Sequence, residues 1–316
     1  MSRVMAGAPP DTAEAVRLAH HLKTSSRTFA LTIPLLREPT RGEVTVAYLL
    51  FRIADSLEDS TRWPRRRKLA DLERFARLLV DPTEGGAAAL ARRWAADPPL
   101  EHAGYVDLLA DLPMVLRSAR TLSRDAWSLI AMHTARTCRA MASFVRREHL
   151  GVLRLRDLDD LRQYCYAVAG IVGEMLTELF LLGRGPWRRV APDIRRDATT
   201  FGEALQLVNI IKDRGRDATE GRHYLPEGIR SEAVFELARR DLRVAAGYCA
   251  RLERAGADRG LVAFTTLPVL LARATLERVE SLGAGAKLTR DEVSGILVRL
   301  DAALDRGAVG PLLDTV

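Results

Sequence analysis

Glu203-Ala-Leu-Gln-Leu-Val-Asn-Ile-Ile-Lys-Asp-Arg-Gly-Arg-Asp217 is the stretch that decides the fold. Gln206, Asn209, Asp213 and Asp217 stand at i, i+3, i+7 and i+11, so at helical period they share one face. Leu205, Leu207, Val208, Ile210 and Ile211 occupy most of the remaining surface. A helix that is apolar nearly all round is a buried helix. A stripe of amides and carboxylates on it must face something polar, because a buried carboxylate without a partner is costly.

A second segment repeats the design. In Tyr48-Leu-Leu-Phe-Arg-Ile-Ala-Asp-Ser-Leu-Glu-Asp59, the polar positions Tyr48, Arg52, Asp55 and Asp59 run i, i+4, i+7, i+11, with Leu49, Leu50, Phe51 and Ile53 between them. One Asp-x-x-x-Asp is ordinarily a solvated helix face. Two copies, each inside an apolar helix, point instead to two walls of one cavity holding a metal–phosphate site. Carboxylates spaced i, i+4 share hard cations, and magnesium takes oxygen ligands at about 2.0–2.1 Å from one or two carboxylates plus substrate phosphates.

The 316 residues are 47% hydrophobic, rich in Ala, Leu and Arg, and poor in β-branched clusters, which favours an all-α fold. The formal charge of +7 is partly local, in Arg62-Trp-Pro-Arg-Arg-Arg-Lys68. Such a run suits phosphate, nucleic acid or an anionic membrane surface, but a solvated loop and helix start explains it more simply. No basic motif interleaved with aromatics is present, so no nucleic-acid partner is expected. Cys138, Cys165 and Cys249 are few and far apart, with no Cys-x-x-Cys spacing, which fits a reducing, cytoplasmic setting. The six histidines include no His-Glu-x-x-His and none falls on either acidic stripe, which argues against zinc and against a di-iron centre. Residues 1–10 carry no signal-peptide core. Apolar runs such as Leu179–Leu182 and Leu267–Ala272 fall short of the roughly 20 residues of a membrane span, so a soluble or peripheral protein is expected.

Periodicity predicts helices near 11–24, after the Ser25-Ser26 cap signal, at 41–60, from Pro64, at 102–118, 123–149, 156–183, 199–214, 230–256, 261–283 and 289–305. Gly85-Gly86 reads as a break, and no alternating strand is found. With no linker or repeat, one domain over 11–316 is expected after a flexible 1–10. Tyr164-Cys-Tyr-Ala-Val-Ala-Gly-Ile-Val-Gly173 is unusual for a helix. Glycine there costs about 1 kcal/mol relative to alanine, so Gly170 and Gly173 imply a kink, close helix packing or room for a ligand.

Four blocks, in order, resemble the squalene and phytoene synthases: Ser26-Arg-Thr-Phe29; Tyr48 to Asp59, the first aspartate motif; Tyr164 to Gly173, the central small-residue block; and Gln206 to Asp217 with Arg222-His-Tyr-Leu-Pro226, the second aspartate motif and its tail. The resemblance spans roughly residues 20–300. It implies an all-α, single-domain isoprenoid synthase fold around a deep central cavity. It also implies head-to-head joining of two prenyl diphosphates through a cyclopropyl diphosphate. Carried over position by position, Asp55, Asp59, Asp213 and Asp217 would hold Mg²⁺, with Gln206 and Asn209 assisting. Arg52, Lys212 and Arg222 would neutralise the leaving diphosphate. Tyr164 and Tyr48 would stand near the reacting carbons, and Ser26, Thr28 and Phe29 near one substrate.

The first motif lacks adjacent aspartates, which argues against head-to-tail prenyltransferases, and Lys212 stands where squalene synthases often carry arginine. The chain ends without an apolar anchor, so a bacterial-type enzyme in the cytoplasm, peripheral at the inner membrane surface, is expected, with no obligate protein partner. Squalene formation needs NADPH, whereas phytoene and dehydrosqualene formation does not. Gly285-Ala-Lys-Leu-Thr-Arg-Asp-Glu-Val293 resembles the loop near that cofactor and makes Lys287 its candidate contact. Tyr224-Leu-Pro226 resembles phytoene and bacterial C30 synthases more closely. The leading expectation is a C30 product from farnesyl diphosphate. The alternatives are a phytoene synthase acting on geranylgeranyl diphosphate, a class I terpene cyclase, and a non-catalytic homologue.

Overall fold

Helix α3 (Thr40–Glu58) shows how the sequence pattern becomes structure. Ala47, Leu49, Leu50, Ile53, Ala54 and Leu57 are fully buried, while Tyr48, Arg52, Asp55 and Asp59 form a half-exposed line on the opposite side. Burying each large apolar side chain contributes about 1.5–3 kcal/mol, so this one helix anchors much of its surroundings. The structure is a computed structural model that describes residues 12–26, 28–183, 187 and 189–314. The segment 1–10, expected to be flexible, lies outside the described residues.

The chain divides into two compact units, Met1–Arg146 and Arg147–Val316. In the first, α1 (Thr12–Ser25), α2 (Phe29–Thr32) and a 3₁₀ turn (Ile33–Leu35) lead into α3. Then follow α4 (Arg65–Val80), α5 (Glu84–Ala96), α6 (Ala103–Ala110), α7 (Leu112–Ala119) and α8 (Arg124–Val145). The Ser25-Ser26 pair does not cap the next helix: Ser25 ends α1, and Thr28 is the N-cap of the short α2, although Ser26 Oγ accepts from the Phe29 N–H at 2.9 Å. Pro64 sits just outside α4 as its extended N-cap. Gly85-Gly86 is not a break: Thr83 caps α5 by accepting from the Gly86 N–H, so both glycines lie in the first turn. α4 packs along α8, and Phe75 meets Trp94 edge-on at 6.0 Å.

The second unit holds α9 (Leu158–Cys165), a π-helical turn (Tyr166–Gly170) and α10 (Ile171–Leu181). These are followed by α11 (Ala191–Thr219), α12 (Ser231–Arg254), α13 (Arg259–Leu282), α14 (Arg290–Arg306) and α15 (Val309–Asp314). α11 starts earlier and ends later than its apolar stretch suggests, running through Gly215 because nothing crowds that exposed position. The expectation of no strand also fails: Leu153–Arg154 (β1) and Arg222–His223 (β2) form a two-residue parallel pair. Two residues are too few to leave an alternating pattern in sequence. α11 packs against α10, α12 and α13, where Phe201 stacks on Tyr248 and the Tyr248 hydroxyl meets Thr177 Oγ1 at 2.8 Å.

The central small-residue block serves close packing. A Cβ on Gly173 would stand 2.1 Å from the Ala198 carbonyl oxygen, and one on Gly202 would stand 2.1 Å from that of Ala169. The helices on either side of this seam therefore touch backbone to backbone. A π turn adds one residue to a helical turn and often marks a functional region.

The apolar content of this unit is also higher than uninterrupted runs suggest. Leu158–Leu181 and Arg259–Leu282, each 24 residues, are long and apolar enough by length and composition to cross a membrane. Small and polar residues within them hide that from a count of consecutive apolar residues. In both, 61% of the most apolar window is buried inside the protein, which accounts for their composition as core helices.

Gly173→Ala and Gly202→Ala should each destabilise the protein by about 1–3 kcal/mol through overpacking, whereas Gly215→Ala should be neutral or stabilising by up to about 1 kcal/mol. Urea midpoints would check this, and equal effects at all three positions would overturn the seam. A pH effect follows from Asp160, whose side chain is 1% exposed. Hydrogen bonds from Arg147, with help from the Arg156 backbone N–H, hold its carboxyl down at about 2 against the effect of burial. Because the folded value lies below the unfolded value of about 3.9, its contribution is complete above that value and disappears as pH falls through about 2. Asp160→Asn should be less stable at neutral pH and should flatten the stability profile between roughly pH 4 and 2 in acid titrations.

Candidate active site

The first aspartate motif is built by α3 and the segment before it. The Tyr48 hydroxyl donates to the Ser25 carbonyl at 2.9 Å, and its ring lies 5.4 Å from that of Phe29. The early Ser26–Phe29 block and the first motif are thus neighbours. Arg52 pairs with Asp55 at 3.3 Å, and its guanidinium lies 5.8 Å from the Tyr48 ring centre and 5.5 Å from that of Tyr105. Burial works most strongly against the Arg52 charge, but attraction to Asp55, with help from the two tyrosines, carries the group above its ordinary value. Burial pushes Asp55 up to about 6, with Arg52 opposing and the charge of Asp59 adding to the rise.

The second motif lies in the Arg147–Val316 unit. Lys212 Nζ meets Asp213 at 2.9 Å, and Arg216 Nη2 bridges Asp213 at 3.4 Å and Asp217 at 3.6 Å. The two aspartates are therefore side by side. The stripe is less buried than its apolar context suggests: Asp217 is buried and Gln206 and Asp213 half-buried, but Asn209 is exposed. The 3.6-residue period settles which residues share a face, not how deeply that face is covered. Arg222 is held by β2 and pairs with Glu220. The three cations assigned to diphosphate, Arg52, Lys212 and Arg222, are all engaged with carboxylates here.

Tyr164 is buried and donates its hydroxyl proton to the Tyr224 hydroxyl at 2.8 Å, with the two rings stacked at 4.5 Å. Tyr224 received no role from the sequence, although it stands in the same tail block as Arg222. Two residues before Tyr164, Arg162 pairs with Glu203 of α11 at 3.1 Å and with Asp241 of α12 at 3.2 Å. Burial lifts Glu203 to about 7, opposed by Arg162 and reinforced by Asp241 and Glu174. This network ties the tyrosine-bearing helix to the second aspartate helix. No local spacing signals it, because its members are 41 and 79 residues apart. The loop with Lys287 is fastened to the same helix, through the Gly285 N–H on the Lys212 carbonyl at 2.8 Å, and Lys287 itself is exposed.

Each motif helix thus presents a pair of carboxylates, an all-oxygen donor set of the type magnesium takes. Among the described residues, no group of three or more His, Cys, Asp or Glu side chains gathers as a metal site by itself. The raised Asp55 beside Asp59 is the feature that fits a cation, since added positive charge would relieve their repulsion. A cavity of about 280 Å³ in the first unit is lined by none of these residues.

The family model for squalene/phytoene synthase matches residues 22–294. The squalene synthase of Eremothecium gossypii is 28% identical over 227 residues, covering 72% of this chain and 49% of the relative. A squalene synthase of Botryococcus braunii is 30% identical over 220 residues, covering 69% and 44%. The chain spans about half the length of the curated relatives it matches. Among solved structures, TcSQS in complex with the ligand E5700 superposes with a TM-score of 0.72 over 96% of this chain and 97% of that one, at 24% identity. That likeness establishes the all-α isoprenoid synthase fold. With four ordered motif blocks inside the matched span, the chain belongs to the squalene/phytoene synthase family.

Proposed function

We propose that this protein is a Mg²⁺-dependent prenyltransferase that joins two prenyl diphosphates head to head, with two farnesyl diphosphates, passing through presqualene diphosphate to squalene or a related C30 product, as its leading reaction. The observation that carries this reading is the α3 stripe: Tyr48, Arg52, Asp55 and Asp59 half-exposed on a helix otherwise fully buried, with Asp55 raised to about 6 beside a second carboxylate. We further propose that both units act as one catalytic domain over 11–316.

In this reading Asp55, Asp59, Asp213 and Asp217 would hold the metal ions, whose chemistry there would be Lewis-acid stabilisation of the departing diphosphate. Arg52, Lys212 and Arg222 exchange their present carboxylate partners for diphosphate oxygens. Gln206 and Asn209 add neutral donors and acceptors along the same helix face. Ser26, Thr28 and Phe29 position one substrate beside Tyr48. Tyr164 lies near the carbons that close the cyclopropane, and the Tyr224 oxygen accepts its hydroxyl proton, fixing the ring. A phenol titrates near pH 10, so Tyr164 orients and polarises, and the released diphosphate is the stronger base. The buried walls around Tyr164 keep water from the cation. NADPH enters where the product is squalene; the bond from Gly285 to Lys212, which keeps the Lys287 loop on the second aspartate helix, supports that use. The phytoene reading rests on Tyr224-Leu-Pro226. The protein works in the cytoplasm, with peripheral membrane contact to collect its lipid substrates.

Asp55→Ala and Asp213→Ala should each lower Mg²⁺-dependent diphosphate release by at least about a thousandfold while leaving the helical circular dichroism intact. Wild-type turnover in either variant would overturn the metal assignment. Product analysis with farnesyl or geranylgeranyl diphosphate, with and without NADPH, separates the outcomes. Squalene only with NADPH, lost in Lys287→Ala, establishes a squalene synthase. A C30 or C40 triene without NADPH makes it a carotenoid-type synthase and removes any role for Lys287.

A further inference from the structure

The segment that follows Phe29 is apolar on both faces. α2, the 3₁₀ turn and Leu36 after it bury Thr32, Ile33 and Leu36, each at most 2% exposed. The outward face carries Leu31, Pro34 and Leu35, at i, i+3 and i+4, and all three are exposed, Leu31 at 51% and Leu35 at 46%. A surface helix of a globular protein ordinarily turns charged or polar residues outward. An apolar ridge bounded by charge marks a contact surface. The backbone holds this one in shape: the Leu31 and Thr32 N–H groups donate to the Thr28 carbonyl at 3.0 and 3.2 Å, and the Leu36 N–H donates to the Ile33 carbonyl at 3.1 Å. The ridge continues directly from Phe29, the residue whose ring meets Tyr48 of the first aspartate motif.

The charge around the ridge has one sign. From Lys23 to Arg41 the chain carries four cations, Lys23, Arg27, Arg37 and Arg41, against one acid, Glu38, so this stretch holds +3 of the formal +7. Arg41 already occupies Glu38 at 2.8 Å. The exposed side chains of Lys23 and Arg37 pair with no carboxylate among the described residues.

We propose that Leu31, Pro34 and Leu35 form a docking ridge that lies in the interface of an anionic lipid bilayer, with Lys23 and Arg37 meeting the lipid phosphates. Apolar side chains enter the boundary between headgroups and acyl chains, while Lys and Arg are drawn to the negative surface. A second copy of this chain fits the ridge less well. A two-fold contact sets a patch against itself, which here opposes cations to cations, and three side chains fall far short of the roughly 20–30 residues a side of a stable interface. The inference deepens the proposed reaction and rests on it for its purpose: prenyl diphosphates are amphiphiles, and docking through this ridge brings the Phe29 segment to the lipid that holds them. Docking itself needs no catalysis, so the two readings fail separately.

The test sediments the full chain with vesicles of equimolar phosphatidylcholine and phosphatidylglycerol, and with vesicles of phosphatidylcholine alone. The wild type should bind the mixed vesicles at least about tenfold more tightly, and high salt should remove the difference. Leu31→Ser with Leu35→Ser should weaken mixed-vesicle binding at least about tenfold. Val298→Ser, which removes an equally exposed apolar side chain from α14, should leave it unchanged. Lys23→Gln with Arg37→Gln should reduce mixed-vesicle binding to the level seen with phosphatidylcholine. The double-leucine variant should release diphosphate from farnesyl diphosphate in detergent micelles at the wild-type rate, and at least about fivefold more slowly from the same substrate loaded into mixed vesicles. Wild-type protein that stays in the supernatant, or double-leucine and double-cation variants that sediment like wild type, would overturn the ridge. Dimerisation in light scattering that the leucine pair abolishes, without vesicle binding, would put a second copy there and overturn it as well. If the wild type releases no diphosphate in either form of substrate, the condensation reading falls, and sedimentation still decides the docking.

Discussion

Burial of carboxylates on otherwise apolar helices is the constraint on which the rest depends. Asp55 sits next to Asp59 on α3, and burial, opposed by Arg52 and reinforced by the charge of Asp59, raises its carboxyl to about 6. An arrangement of this kind opposes stability. It persists because the opposite side of the same helix, from Ala47 to Leu57, is so fully packed that the helix has no other way to lie. The apolar face holds the polar face in place. Packing and charge are thus divided between two sides of one helix.

The second unit meets a different demand, that of bringing a tyrosine pair up to an aspartate helix. Gly173 and Gly202 let two helical backbones touch, the π turn at Tyr166–Gly170 re-aims the chain next to Tyr164, and Arg162 fastens that segment to Glu203 and Asp241. Small residues supply proximity and buried ion pairs supply register. Neither suffices alone, since close backbones can slide and a single arginine does not bring helices into contact. Buried charge networks of this type are costly to assemble but penalise alternative arrangements strongly.

Much of this was legible in the chain. Both acidic stripes and the small-residue block follow from spacing, because a 3.6-residue period fixes which side chains share a face. The shift of Gly85-Gly86 from break to first turn turned on one hydrogen bond from Thr83, and the two-residue β1–β2 pair left too short a trace to detect. Asn209 was expected to lie buried and is exposed, because periodicity reports direction around a helix and not the depth of what covers it.

The sequence by itself determined the fold class and the family, since these depend on local spacing and on residue types whose chemistry is intrinsic. Tertiary structure alone decided which charges are already paired, that Tyr224 stacks on Tyr164, and that Arg162 bridges two helices. Those features join residues tens of positions apart, and their energies depend on burial and distance, quantities that exist only once the chain has closed on itself.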